Sequence, residues 1–149
     1  MDSTSVDGSS ATTSVPFGYF LPLFDRQTVT WYSLQVGPEQ DDIPTTGQAA
    51  IENLADGLTN FAETAAAMAH LDLILTIDTA AAHLAAAMGQ RVWLLLPWVS
   101  DWRWRESGRY SRWYPSLRIF RQQSDGGWEC VMKTVDDALE VLLSSVSVK

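Results

Sequence analysis

An aspartate, a threonine and a histidine lie close together in the middle of the sequence, with spacing that suits a ligand site. Asp78 and Thr79 follow an apolar run at residues 71–77 and precede an alanine-rich stretch. Either side chain could cap the helix that this stretch predicts, and the amides of the first turn would be free to bind a phosphate. His83 comes four residues after Thr79, one turn along the same helical face. The alternatives are that Asp78 only caps the helix and that His83 is a core histidine bonded to a carbonyl.

A second group with chemical potential is the aromatic and arginine-rich segment at residues 98–115. Between positions 101 and 121, six arginines stand against Asp101 and Glu106, a local charge of +4 in a chain whose net charge is −8. Arginine binds phosphate in bidentate geometry and tryptophan stacks on bases or sugars, so Trp102, Arg103 and Arg105 are candidate contacts for a phosphate or a protein partner. The competing interpretation is that Trp98, Trp102 and Trp113 plug the core or face a neighbouring domain, with arginines stacked over them.

The elements that position these residues form a strand, helix and strand at residues 71–97. The run at 71–77 is almost continuously apolar, as in a parallel strand covered on both faces. Residues 80–88 are strong helix formers, Gly89 occupies the position where a helix end favours positive φ, and residues 92–96 form the next buried strand. Ligands of parallel sheets bind at the carboxyl ends of strands, which places Asp78, Thr79 and Ala80 at the predicted binding position.

The remaining segments predict an α/β domain with a mainly parallel, Rossmann-like sheet. We expect a short irregular helix at 16–26, strands at 29–36 and 116–122, a buried edge or short strand within 51–61, and a loop at 39–47. A helix at 61–70 would be capped by Asn60 with Glu63 in a capping box. An amphipathic helix follows Gly127, with Cys130 as an inert packing residue. We divide the chain into a disordered tail at 1–15, the domain at 16–145 and a tail at 146–149.

Composition narrows the class of protein. The net charge of −8 argues against nucleic-acid or anionic-membrane binding, and we expect neither a membrane span nor a targeting segment. One cysteine and two histidines give neither an internal disulfide nor a metal cluster, so we expect a cytoplasmic protein without a metal. Motifs typical of dinucleotide oxidoreductases, P-loop NTPases and nucleophile-elbow hydrolases do not occur in the sequence.

Four sequence segments together resemble a known family. LDLILTIDTAAAHLAAAMGQRVWLLLP, DWRW, WYPSLRIFRQ and the GW before the last helix are similar to the carboxyl-terminal part of bacterial glycosyltransferases of family 9, the heptosyltransferase group, and of glycosyltransferase proteins fused to tetratricopeptide repeats. WYSLQ and NFAETAAAMAHLD also match. The likeness extends over roughly residues 16–143, and the Asp-Thr-x-x-x-His core carries its site.

The resemblance implies a GT-B architecture, in which this chain is an incomplete carboxyl-terminal half that binds a nucleoside-diphosphate sugar without a metal or other cofactor. By position, Asp78 would contact the donor sugar, the amides of Thr79 and Ala80 would hold the diphosphate, and His83 would lie beside it. Gln35 and Gly37 would approach the nucleoside.

Two positions depart from the family pattern, because Ala80 replaces a usual glycine and Val36 a usual lysine. The acceptor half and the first strand of the donor half are expected to lie outside this chain. Relatives generally take their catalytic base from that half, so the resemblance assigns no catalytic residue here.

The leading hypothesis is a donor-binding domain of glycosyltransferase type that is not catalytic alone. Its partners would be a nucleotide sugar, together with an acceptor domain, a tetratricopeptide-repeat protein or a second copy of the chain. The alternative is a non-catalytic interaction module or the remnant of a truncated gene.

Overall fold

A computed structural model describes residues 14–37, 51–104, 108–123 and 127–146. Residues 1–13 of the predicted tail at 1–15, and the predicted loop at 39–47, lie outside these residues. The α-helices are α1 (Leu21–Phe24), α2 (Phe61–Met68), α3 (Ala80–Ala87) and α4 (Glu129–Val146). The strands are β1 (Trp31–Ser33), β2 (Ile51–Asn53), β3 (Ile74–Ile77), β4 (Val92–Leu96) and β5 (Leu117–Arg121). Short 3₁₀ turns span Phe17–Phe20, Ala55–Gly57 and Trp102–Trp104.

The strands form two parallel sheets. In the larger one β4 pairs with both β3 and β5, and in the smaller one β1 pairs with β2. The fold is therefore mixed α/β and Rossmann-like, as the alternation of segments predicted. The strand predicted at 29–36 is shorter than expected, since only Trp31–Ser33 pairs with a neighbour.

The residues of strand β4 show that the larger sheet is covered on both faces. All five of its residues are buried, and their side chains alternate between two clusters. Leu94 and Leu96 point toward α3, whereas Trp93 and Leu95 point toward α4. A strand covered on both faces needs no polar alternation, so the uninterrupted run VWLLL predicted its position correctly.

The α3 face is built from small side chains. Ala82, Ala85 and Ala86 are buried against the sheet together with Met68 and Trp104. Helix α3 ends in a Schellman motif, in which Gly89 has a φ of 77° and the amide of Gln90 donates to the carbonyl of Ala85 over 3.1 Å. The predicted glycine stop is confirmed, and it fixes where the chain turns into β4.

The α4 face is built from larger residues on an 18-residue amphipathic helix. Val131, Met132, Val135 and Leu139 are buried there. Phe120 and Leu23 complete the cluster. The Arg26 Nη2 atom lies 2.6 Å from the Asp136 Oδ1 atom and ties the amino-terminal segment to this helix. Cys130 is exposed, so its predicted packing role is wrong, because its position on α4 faces away from the buried stripe.

The approach to α2 partly follows prediction. The Asn60 side chain accepts hydrogen bonds from the amides of Ala62 and Glu63, which confirms the cap. Glu63 reaches back to the amide and hydroxyl of Thr59, one residue before the position that a capping box predicts. Phe61 is the last residue of the segment 51–61, in which we expected a buried edge or short strand. It is 63% exposed, so its burial is not confirmed, because the first turn of α2 presents it to solvent.

Candidate functional site

The candidate site lies where β3 ends and α3 begins. Parallel pairing brings the carboxyl ends of β3, β4 and β5 to one edge of the sheet, and Asp78 is the first residue after β3. Its side chain is 16% exposed, and its Oδ1 atom lies 3.7 Å from the Nε2 atom of His83. Asp78 and His83, predicted to share one ligand, therefore do face each other.

The amino terminus of α3 lacks the predicted side-chain cap. Thr79 occupies the cap position in an extended conformation, but its side chain makes no cap hydrogen bond. The prediction of Thr79 as a capping side chain is therefore wrong, although its carbonyl accepts from the amides of Ala82 and His83. Within the described residues, no hydrogen bond reaches the amides of Ala80 and Ala81. This end of α3 leaves donors available to an anion.

His83 contacts two aromatic residues besides Asp78, Tyr114 and Trp104. Its Nδ1 atom lies 3.2 Å from the Tyr114 hydroxyl, and its ring stacks on Trp104 at a centroid distance of 5.1 Å and an interplanar angle of 24°. The side chain is 31% exposed and its hydrogen-bond partner is a hydroxyl, so the alternative of a core histidine bonded to a carbonyl is wrong. The imidazole therefore contacts the aromatic rings of Trp104 and Tyr114 and faces the carboxylate of Asp78.

Arg103 lies near this group but already has a partner. Its guanidinium makes two hydrogen bonds with Asp101, Nε to Oδ1 at 2.9 Å and Nη2 to Oδ2 at 3.1 Å. This pairing lowers the pKa of the Asp101 carboxyl and raises the pKa of Arg103, whose charge also interacts with Asp78. Arg103 therefore has to share its charge with any phosphate that binds. Arg105 lies outside the described residues.

A shallow groove of about 420 Å³ opens beside His83. Its walls include Trp102, Arg103, Trp104, Trp113 and Tyr114. Trp102 is 79% exposed and Trp113 is 69% exposed. The suggestion that these tryptophans plug the core is therefore wrong, because Trp104 fills that position and is 2% exposed. Arginine stacking occurs elsewhere, where the Arg118 guanidinium lies over the rings of Trp93 and Phe120.

The predicted nucleoside contacts lie at the other sheet. Gln35 is exposed and its amide donates to the Ser33 hydroxyl over 3.1 Å, and Gly37 has a φ of 107°. In the described part of the chain, no hydrogen bond or ion pair joins either residue to Asp78 or His83. Leu34, the residue after β1, packs against the core cluster that includes the buried alanines of α3.

Sequence reasoning missed the role of Tyr114. It placed Tyr114 in the aromatic segment without assigning it a partner, and 31 residues separate it from His83. No spacing rule connects positions so far apart. The signal in the sequence was a tyrosine immediately before proline at the entry to β5, a strand whose register fixes where the segment returns to the sheet.

Two further questions concern the described residues, a metal site and a membrane span. Across residues 14–37, 51–104, 108–123 and 127–146, no three histidine, cysteine, aspartate or glutamate side chains group as metal ligands would. None of the helices in these ranges is both long and apolar enough to cross a membrane.

Part of the site lies in a segment that matches a known family. The segment with the Asp78 turn, α3 and β4 lies inside a match to a family model described as glycosyltransferase family 9 (heptosyltransferase). Residues 37–96 match that family. The resemblance expected from the sequence is thereby confirmed, and the matched segment ends on the last residue of β4.

One curated relative extends the likeness beyond that segment. Protein FlbA of Caulobacter vibrioides is 28% identical over 135 residues, an alignment that covers 87% of this chain. The same alignment covers 22% of FlbA, so the chain spans about a fifth of that relative. No solved structure matches the chain significantly.

Proposed function

We propose that this chain binds a nucleoside-diphosphate sugar as the donor-binding part of a family 9 type glycosyltransferase. The observation that carries the proposal is the family match, which includes both Asp78 and His83. Their position at the carboxyl end of β3, beside two amides of α3 without a partner, supports the same ligand class. Amides at a helix amino terminus and the positive end of its dipole favour a diphosphate.

In the proposed complex each group has a separate role. The amides of Thr79 and Ala80, together with that of Ala81, bind diphosphate oxygens, and the Asp78 carboxylate accepts hydrogen bonds from sugar hydroxyls. His83 donates to an oxygen near the sugar–phosphate bond. During transfer, an acceptor hydroxyl displaces the nucleoside diphosphate, and these donors stabilise the charge that develops on the leaving group.

We assign no catalytic base to this chain. The proposal places the base and the acceptor site in a further part of the protein or on another chain, so this domain binds the donor but does not transfer it alone. A GT-B arrangement of two facing halves is part of the same proposal, as is a cytoplasmic location. The single cysteine, which leaves no internal disulfide, is consistent with that location.

Calorimetry with the full chain tests donor binding. We expect one or more members of a panel of nucleoside-diphosphate sugars to bind, and we expect Asp78→Ala and His83→Ala to weaken binding about tenfold or more, as the loss of a hydrogen bond to a charged group does. Asp72→Ala and His70→Ala are matched controls, since both residues are exposed and precede β3. They should leave the affinity unchanged.

The outcome that would overturn the proposal is equally direct. A sample that is folded by circular dichroism and binds no member of the panel would refute a donor site. Equal losses in the Asp72→Ala and Asp78→Ala variants would show that binding does not occur at the α3 terminus.

A second function is favoured by the exposed aromatic residues. Trp98, Trp102 and Trp113 are each more than half exposed, and large exposed aromatic surfaces are typical of interfaces. We propose self-association through this surface as the alternative role. Sedimentation velocity should then show dimers that dissociate on dilution and are lost in Trp102→Ala, whereas a monomer at every concentration contradicts this function.

A further inference from the structure

The two ring nitrogens of His83 face groups of different hydrogen-bonding capacity. Nδ1 lies 3.2 Å from the Tyr114 hydroxyl, and Nε2 lies 3.7 Å from a carboxylate oxygen of Asp78. A neutral imidazole carries one proton, so one nitrogen donates and the other accepts. An ionised carboxylate only accepts, whereas a tyrosine hydroxyl both donates and accepts. The arrangement is satisfied when the proton is on Nε2.

We propose that Tyr114 is a positioning residue that holds His83 in the tautomer with the proton on Nε2. The hydroxyl donates to Nδ1, and the N–H group of Nε2 then points to the side of Asp78. The carboxylate selects this tautomer, because the reverse one would place a lone pair of Nε2 toward it, and the Tyr114 hydroxyl stabilises the same tautomer by donating to Nδ1. The Tyr114 hydroxyl thus acts through the imidazole.

The aromatic contacts fix the ring as well as its proton. His83 stacks on Trp104, which is 2% exposed, and the Tyr114 ring meets the imidazole edge at a centroid distance of 5.8 Å and an angle of 63°. A rotation of the imidazole by half a turn would put Cδ2 in the place of Nδ1 and Cε1 in the place of Nε2, and would break the contact with the hydroxyl. Packing and hydrogen bonding therefore specify the same orientation.

The charges around the imidazole agree with this assignment. Asp78 and Asp101 are acidic neighbours, and the Arg103 guanidinium is engaged by Asp101 through two hydrogen bonds. A donor directed toward Asp78 is favoured by this field, and a bare lone pair there is not.

The consequence for the ligand rests on the proposed function. If the α3 terminus binds a nucleoside diphosphate, the protonated Nε2 atom is a ready hydrogen-bond donor for an oxygen of that ligand. Tyr114 would not touch the ligand, and its contribution would be to keep that donor in place before binding. The tautomer itself is a property of the free protein and is measured without any ligand.

Long-range proton–nitrogen correlation spectroscopy of the ¹⁵N-labelled chain tests the tautomer directly. The chain has two histidines, and the exposed His70 is an internal reference for an unconstrained imidazole. Near pH 8 we expect His83 to show a protonated Nε2 and an unprotonated Nδ1. In Tyr114→Phe, loss of one hydrogen bond should move the tautomer ratio by about fivefold toward that of His70.

Tyr110→Phe is the matched control. Tyr110 is in the same segment, is 69% exposed, and its removal leaves the Tyr114 hydroxyl in place, so the His83 signals should not change. A wild-type spectrum with the proton on Nδ1, or with a tautomer ratio equal to that of His70, would overturn the proposal without any variant. An unchanged His83 spectrum in folded Tyr114→Phe would also overturn it.

The proposal and the proposed function fail in different experiments. If no nucleotide sugar binds but His83 shows the expected tautomer and Tyr114→Phe shifts it, the donor site is refuted and the role of Tyr114 stands. If donor binding is observed but His83 samples both tautomers, the function stands and the positioning role is refuted.

Discussion

Helices α2 and α3 have eight residues each, but their amino termini are built in opposite ways. At α2, the Asn60 side chain accepts from two backbone amides, and Glu63 bonds back to Thr59. At α3, the Thr79 side chain makes no cap hydrogen bond, and the nearest carboxylate, on Asp78, faces His83 instead. The first terminus is satisfied within the protein, whereas the second keeps donors free.

The two helices also differ in what holds them to the sheet. Helix α2 buries one residue, Met68, whereas α3 buries Ala82, Ala85 and Ala86. The first helix thus depends on its cap and the second on close packing of small side chains. A helix that is fixed by packing can leave its amino terminus open for a ligand. Substitutions in α2 and α3 test this difference between the helices, from the largest expected effect to the smallest.

Replacing a buried alanine of α3 should have the largest effect on stability. Ala85 is fully buried against the sheet, so Ala85→Leu forces extra volume into a filled space and should lower the free energy of unfolding by about 1–3 kcal/mol. Ala66→Leu is the control on α2, where the side chain is exposed and a change within about 0.5 kcal/mol is expected. Urea denaturation measures both, and equal effects would show that α3 is not held by packing.

Removal of the caps should separate the two termini. Asn60→Ala should lower the free energy of unfolding by about 1 kcal/mol, because two amides lose their acceptor. Thr79→Ala should change it by less than about 0.5 kcal/mol, because the threonine side chain makes no cap bond. The same urea titrations provide the comparison. A loss at Thr79 as large as that at Asn60 would mean that the α3 terminus is capped in solution.

The smallest effect is the part of the acid-side pH dependence that Glu63 of α2 contributes, beside the part due to Asp101. Two hydrogen bonds from Thr59 lower the pKa of Glu63. The bond from the hydroxyl has the larger effect, and the bond from the amide has the smaller one. A carboxyl whose pKa is lower in the folded state stabilises the protein above its unfolded-state pKa, and this stabilisation is lost as pH falls through the folded-state value. Glu63→Gln should flatten the acidic side of a plot of melting temperature against pH. Glu52→Gln, at an exposed position on β2, should leave that side unchanged.

The strand, helix and strand around the site could be predicted from the sequence because each depends on local pattern. The predicted helix at 80–88 is observed at Ala80–Ala87, and the strand at 92–96 is observed with those bounds. The strand at 71–77 begins later, at Ile74, because pairing with β4 starts there. Local periodicity gives the type of an element, but the pairing partner decides its first residue.

The candidate site could be predicted only in part. Asp78 was found from its position after the strand and His83 from its helical spacing to Thr79, whereas their ligands and roles stay predictions. The contact between His83 and Tyr114 depends on how residues 98–115 return to the sheet, which no local rule specifies. The pairing of Arg103 with Asp101 was also missed, because counting charges over a segment does not show which of them neutralise each other.

The exposed position of Cys130 has a practical consequence. It is the one thiol of the chain and stands on α4, which packs on the sheet face opposite α3. A maleimide fluorophore attached there would mark each molecule at a single known point without entering the groove beside His83. Energy transfer from that label to a labelled second protein would then report docking on the tryptophan side as a distance.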